Sequence, residues 1–267
     1  MTDKKIIVQF TVLTFCIASL ASGALIVLGQ FGFSIHSTVQ ESFQHLGMNI
    51  PFAVYILSPA IVSYIVLKKN NKIADVKEWL NTVFYAKNNI LLYLLVVAVL
   101  ALYYLIHLAV SGRTEMVQPF YMFFLNLPGS LIIGGLEEAG WMYILQPRLY
   151  KKYGFVLSSV CVGFIWFLWH IPLFFIRGTG HYEGLIDFWM FAVQIIAFRF
   201  FYGAIYKISG KGHVFMCVLC HTMFNAASPV FGIPPTTWAG TVAANAMIVL
   251  VSIVTVVIYN KKSRQII

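Results

Sequence analysis

The stretch 90-ILLYLLVVAVLALYYLIHLAV-110 runs for 21 residues without a carboxylate, an ammonium or a guanidinium group. At the helical rise of ~1.5 Å per residue, about 20 apolar residues cross the hydrocarbon of a bilayer. A surface helix of a soluble protein keeps a polar face, and this segment has none. The same pattern recurs along the chain. Apolar segments run from Ile6 to Leu28, Ile50 to Leu67, Ile90 to Val110 and Phe120 to Leu145. Four more run from Phe155 to Ile176, Phe188 to Tyr206, His213 to Val230 and Thr241 to Tyr259. Of all 267 residues 60% are hydrophobic and 10% charged, where soluble domains carry about 25% charged residues. The expected fold is all-α: a polytopic membrane helix bundle of about eight transmembrane helices. It forms one integral membrane domain over residues 1–267, without a repeat or a separate soluble domain, as a multi-pass protein of the cell membrane. The fourth segment is expected to break at Pro128-Gly129.

Charge sets the orientation. The net charge of +9 does not point to nucleic acid, because the basic residues sit in short clusters between apolar segments. With a cytoplasmic N-terminus, the inside loops hold Lys4 and Lys5; Lys68, Lys69, Lys72, Lys77 and Lys87; Arg148, Lys151 and Lys152; Lys207 and Lys211; and Lys261, Lys262 and Arg264. That is 15 of the 18 basic residues, against Arg113 and Arg177 outside and Arg199 within a segment. The positive-inside rule then places both termini in the cytoplasm. Lys4, Lys5 and Leu20-Ala-Ser-Gly-Ala24 resemble a signal peptide. The run continues through Leu28, so it reads as an uncleaved first helix. In the loop after Lys68, residues Ile73, Val76, Trp79, Leu80 and Val83 share one helical face, the pattern of a surface-lying linker.

Ionisable groups inside spanning segments are costly and mark function by default. The candidates are Glu137, Glu138, His107, His170, Arg199 and His221, with Asn225 as a neutral companion. Glu137 lies 14 residues before Lys151, His170 lies 17 after Tyr153, and His221 and Asn225 lie 10 and 14 after Lys211. At ~1.5 Å per residue these are depths of roughly 15–25 Å, one band near mid-membrane. His221 and Asn225, at i and i+4, share a helix face. His107 is expected at the outer interface, and His36, His45, His181 and His213 in or beside solvated loops.

Three motifs carry a resemblance. Glu137-Glu-Ala-Gly-Trp-Met-Tyr-Ile-Leu-Gln-Pro-Arg-Leu149, Trp166-Phe-Leu-Trp-His-Ile-Pro-Leu173 and His221-Thr-Met-Phe-Asn225 occur in the order and spacing seen in the CPBP family. These are the CAAX-protease and bacteriocin-processing (Abi) intramembrane proteases, which include the Rce1-like prenyl-protein proteases. The resemblance covers a core from Pro128 to about Ala227. It implies an intramembrane endopeptidase with Glu137, His170, His221 and Asn225 as catalytic residues. The substrate would be a hydrophobic, lipidated or membrane-bound peptide, reached through the bundle from the cytoplasmic side. One position departs from the pattern. Where the family's first motif usually reads Glu-Glu-x-x-x-Arg, the arginine position is Met142. Arg199, the only cation inside a spanning segment, is expected to replace it and neutralise Glu138 across helices, both as structural support.

Two chemistries remain open on these residues. His170 and His221 could bind a divalent metal such as zinc, with Glu137 as ligand or base. Alternatively, no cofactor is used. Glu137, helped by His170, then takes a proton from water, while His221 and Asn225 donate hydrogen bonds to the oxyanion. Expected partners are membrane lipid and a peptide or membrane-protein substrate, with no nucleic acid. Haem is not expected either, although Cys217-Val-Leu-Cys-His221 has the spacing of a c-type haem site. Both cysteines fall in an apolar helix that begins on the cytoplasmic side, where they serve as small packing residues. Two rival readings are a catalytically weak or inactive member acting as an immunity or scaffolding protein, for which Met142 speaks, and a transporter. Trp141, Trp166 and Trp169 are expected to pack the bundle and shape the site, Pro172 to bend the end of the fifth helix, and Gly134, Gly135 and Gly140 to allow close contact.

Overall fold

The computed structural model describes residues 2–35, 46–112, 118–210, 213–232 and 237–265. His36, His45, Arg113, Lys211 and the side chain of Arg264 lie outside this description. The described residues are helical throughout, with helices α1 (Asp3–Gln30), α2 (Leu46–Lys69), α3 (Val76–Val83), α4 (Ile90–Ser111), α5 (Met122–Ile132), α6 (Gln146–His170), α7 (Phe188–Ser209), α8 (Phe215–Phe231) and α9 (Trp238–Gln265). The stretch Met122–Phe175 turns at Gly154, whose φ of 73° and ψ of −176° lie outside the helical range. It therefore crosses twice. With the short α8, the expected eight crossings are accounted for. The surface-lying linker contains α3, capped by Asp75, whose Oδ1 accepts from the Glu78 N–H at 2.8 Å. Its Trp79 and Val83 are buried, and Trp79 Nε1 donates to Ser63 Oγ of α2 at 2.9 Å.

Small residues let helices approach where hydrophobic driving force is absent. In α1 the buried positions are Ile6, Phe10, Thr14, Ala18, Ser22 and Leu25, a stripe of near-fourfold spacing that packs on α2. Helix α7 is the central element, lying between α6 and α9. A Cβ on Gly163 would stand 3.1 Å from the Ile196 backbone, so glycine sets how closely α6 meets α7.

The basic loops gather on one face. Asp3 pairs with Arg148 at 3.5 Å and Lys151 at 3.9 Å, and Lys207 Nζ lies over the rings of Tyr150 and Tyr259. The start of α1, the start of α6 and the ends of α7 and α9 thus meet there. On the opposite face the Ile35 N–H donates to the Arg177 carbonyl at 3.1 Å, and the Ser111 and Thr237 hydroxyls lie 2.6 Å apart.

Several expectations require correction. Helix α5 continues through Pro128, and the break comes at Ile133–Gly134, where Gly134 has φ 140°. Proline removes one helical hydrogen bond, but only a residue without Cβ takes that φ readily. His107 is buried in the protein, near Gly240 at the end of the bundle opposite the basic face, with its ring edge-on to Tyr103. His181 packs against Phe174 and Phe191, and His213 stacks on Tyr85, so neither imidazole is simply solvated. The bend at Pro172 is present as a 3-10 turn, Ile171–Phe175.

Candidate active site

The broken crossing builds the site. After Gly134 the chain makes a 3-10 turn (Gly135–Glu137), one α-turn (Glu138–Gly140) and a π-helical turn (Trp141–Leu145) before α6. Unwound backbone at membrane depth is tolerated only when buried in protein or lining a cavity. Here the Asn225 Nδ2 amide donates to the Ile133 carbonyl at 2.8 Å, and the Glu137 N–H donates to the Gly134 carbonyl at 2.9 Å. A Cβ on Gly134 would collide with Asn225 Nδ2 and lie 3.0 Å from His221 Nε2. Glycine is what lets the break close onto α8. Gly135 meets Thr222 of α8, and Gly140 meets Phe10 and Pro59, as close approach requires.

Glu137 and Glu138, adjacent in sequence, face different partners. Glu137 Oε2 accepts from Trp166 Nε1 at 2.8 Å and, more weakly, from Trp141 Nε1 at 3.4 Å. Glu138 accepts a fork of two bonds from Arg199, Nη1 to Oε2 at 2.6 Å and Nη2 to Oε1 at 2.7 Å, with both side chains 0% exposed. The second lone-pair site of Glu138 Oε1 meets His221 Nδ1 at 2.9 Å. A carboxylate only accepts, so Nδ1 carries the proton and His221 turns Nε2 toward Gly134 and Asn225. His170 is fixed in the same way. Its Nδ1 lies 2.9 Å from the Trp166 carbonyl, which leaves Nε2 as the free ring nitrogen.

Trp166 joins these groups. Its indole N–H holds Glu137, its ring meets His170 and His221 edge-on at centroid distances of 4.9 and 5.4 Å, and the Arg199 guanidinium lies 3.5 Å from its ring centre. The sequence has Trp166 packing the bundle and shaping the site but does not disclose this donor. The available signal was its spacing: Trp166 stands four residues before His170, on the same helix face. The histidine–carboxylate contact of His221 with Glu138 was also missed, since only Arg199 was assigned to that carboxylate.

Glu137, His170, His221, Asn225 and Trp166 all line one cavity of about 680 Å³. Its remaining walls are mostly apolar, with Ile56, Phe191, Ile195 and Phe224 among them. Among the described residues, no three His, Cys, Asp or Glu side chains gather as a metal-holding group. Cys217 and Cys220 are buried thiols, and Cys217 Sγ contacts the Tyr202 carbonyl at 3.4 Å. The cavity draws its lining from the helix ends away from the basic face. Trp141, Met142, Ile144 and Leu145, all 0% exposed, pack between the Glu137–Glu138 pair and the basic face.

Comparison with known proteins gives two findings. Residues 116–227 match the family described as type II CAAX prenyl endopeptidase, Rce1-like. The chain is also 27% identical over 139 residues to CAAX prenyl protease 2 of Methanococcus maripaludis, an alignment covering 48% of this chain and 51% of that protein. The chain thus spans about half the length of that curated relative.

Proposed function

From the match of residues 116–227 to the Rce1-like family, we propose that the chain is a CPBP-type intramembrane endopeptidase that cleaves a hydrophobic, lipidated or membrane-bound peptide. The observation that carries this reading is the two-armed arrangement around Trp166. One arm presents the Glu137 carboxylate, and the other presents the His221 imidazole, in the same cavity as His170 and Asn225. Glu137 takes a proton from water, with the His170 Nε2 as a second acceptor, and the water oxygen attacks the scissile carbonyl carbon. The developing oxyanion is met by the His221 imidazole, oriented by Glu138 behind it, and by the second amide hydrogen of Asn225. The first amide hydrogen is already committed to Ile133. Collapse breaks the C–N bond, and the proton held by Glu137 passes to the leaving amine. Preorganised donors in a water-poor site are the strongest common source of such rate acceleration.

The proposed chemistry is metal-free. Its support lies in the donor set: Glu137 Oε2 is occupied by two indole N–H groups, and the imidazoles and carboxylates are not gathered around a common point. The inactive-member reading rested on Met142. Arg199 supplies Glu138 with the missing cation, which removes that support.

The test offers purified protein a panel of hydrophobic peptides and compares it with Glu137→Ala and His221→Ala. Cleavage by the wild type, lost in both variants, is expected. Cleavage that survives both substitutions overturns the site assignment.

A further inference from the structure

Deepening the endopeptidase reading and resting on it, we infer that the substrate reaches the site from the extracytoplasmic face, as an extended peptide segment rather than as an intact helix. The lining residues show the direction. From α2 the cavity takes Asn49, Ile50 and Ile56, in the half of the helix remote from Lys68 and Lys69. From α7 it takes Phe191 and Gln194, near the end opposite Lys207. Thr179, Gly180 and His181 come from the loop that carries Arg177. The positive-inside rule assigns the basic face to the cytoplasm, so all these residues lie in the outer half of the protein. Ile50, Ile132 and Ile133, 57%, 47% and 45% exposed, and the exposed Pro128 line the cavity and put its mouth between α2 and α5. Among the described residues, the fully buried Trp141, Met142, Ile144 and Leu145 form a packed floor between the cavity and the basic face.

The same outer half holds polar atoms that the protein leaves unmatched. Gln194 Oε1, His181 Nε2 and Asn49 Oδ1 are buried, line the cavity and have no hydrogen-bond partner among the described residues. Gln194 is 7% exposed and stands one turn from Phe191, whose ring touches both His170 and His181. Buried polar groups are normally paired, and an orphan is destabilising. Two of these atoms are amide oxygens, so they ask for N–H donors. An α-helix spends its N–H groups on itself, whereas an extended backbone offers them sideways. An extended segment entering an apolar cavity needs such acceptors as much as the cavity needs the donors. Gln194 is therefore a substrate-positioning residue, which binds peptide backbone beside the scissile bond.

Sidedness can be read without activity. Gly180→Cys and Ser228→Cys place thiols on the cavity wall. A Cβ on Gly180 meets only ordinary contacts beyond 3.7 Å, the nearest being at 3.8 Å. A membrane-impermeant maleimide should label both in intact cells, over the wild-type background, and should label a Lys151→Cys control only in inverted vesicles. Labelling of the two cavity positions only from the Lys151 side overturns the inference. In the activity arm, an impermeant peptide should be cleaved outside right-side-out vesicles and not outside inverted ones; the reverse pattern also overturns it. Outward labelling with no cleavage on either side refutes the endopeptidase reading while leaving the outward-facing cavity standing. Gln194→Leu should keep thermal stability and raise KM about tenfold with kcat nearly unchanged. An unchanged KM removes Gln194 from peptide binding.

Discussion

Replacing Arg199 by methionine tests the cation that stands in for the arginine missing at Met142. The guanidinium is fully buried, donates two short bonds to Glu138 and lies over the Trp166 ring. Removing one partner of a buried ion pair leaves an uncompensated charge and costs about 3–5 kcal/mol. Two charge-assisted hydrogen bonds at about 1.5–3 kcal/mol each lead to the same range. At about 2–4 °C per kcal/mol for a chain of this size, the melting temperature should fall by about 6–20 °C. Peptide cleavage should fall with it, because a Glu138 without its guanidinium fork is no longer fixed in the position from which it orients His221. The double variant Arg199→Met/Glu138→Gln separates the two effects. Removing both charges should recover most of the lost stability. Activity should not return, since an amide does not reproduce the carboxylate that orients His221. The assay pairs thermal unfolding in detergent with cleavage of one hydrophobic peptide. If Arg199→Met leaves both readouts at wild-type values, the pairing carries neither stability nor function, and the account of Met142 is wrong. If the double variant is no more stable than the single, uncompensated charge was not the cause of the loss.

Four further outcomes are expected. Trp166→Phe keeps the ring but removes the N–H that holds Glu137 at 2.8 Å. kcat should fall about 10- to 100-fold, the equivalent of a lost hydrogen bond to a charged group, with a smaller change in KM. Gly134→Ala puts a Cβ against Asn225 and His221 at φ 140°, so cleavage should be abolished, with about 1–3 kcal/mol of added strain seen in unfolding. Burial pushes the His181 imidazole down to about 4 from its ordinary 6.5, so the folded state favours the neutral ring. Its contribution to stability is then complete above pH 6.5 and is lost as pH falls toward 4, and His181→Phe should flatten that part of the stability profile. Dialysis against a chelator should leave cleavage unchanged; loss of activity restored by zinc would refute the metal-free chemistry.

The crossings were legible because nothing but a spanning helix accommodates twenty apolar residues such as Ile90–Val110. Pairing of Arg199 with Glu138 was legible for a related reason. Two opposite charges at similar depth in a membrane have no cheaper alternative than each other. What escaped the sequence was direction. Sequence depth places Glu137, His170 and His221 in one band but does not say which end of the bundle stays open. That depends on how Trp141, Met142, Ile144 and Leu145 fill the bundle toward the basic face while Ile50 of α2 and Ile132 of α5 line the cavity and stay exposed. It also depends on Gly134, whose φ of 140° moves the break six residues beyond the proline that seemed to mark it. A proline is visible as a letter, whereas a left-handed glycine is visible only once the side chains it makes room for are in place. Here those side chains are Asn225 and His221, from a helix that follows eighty residues later. The same limit applies to Trp166, where an indole on an apolar face reads as packing until a carboxylate from another crossing arrives at its N–H. The site is therefore fixed by long-range partners: α8 decides what α5 can do at Gly134, and α7 decides what the adjacent Glu138 can do.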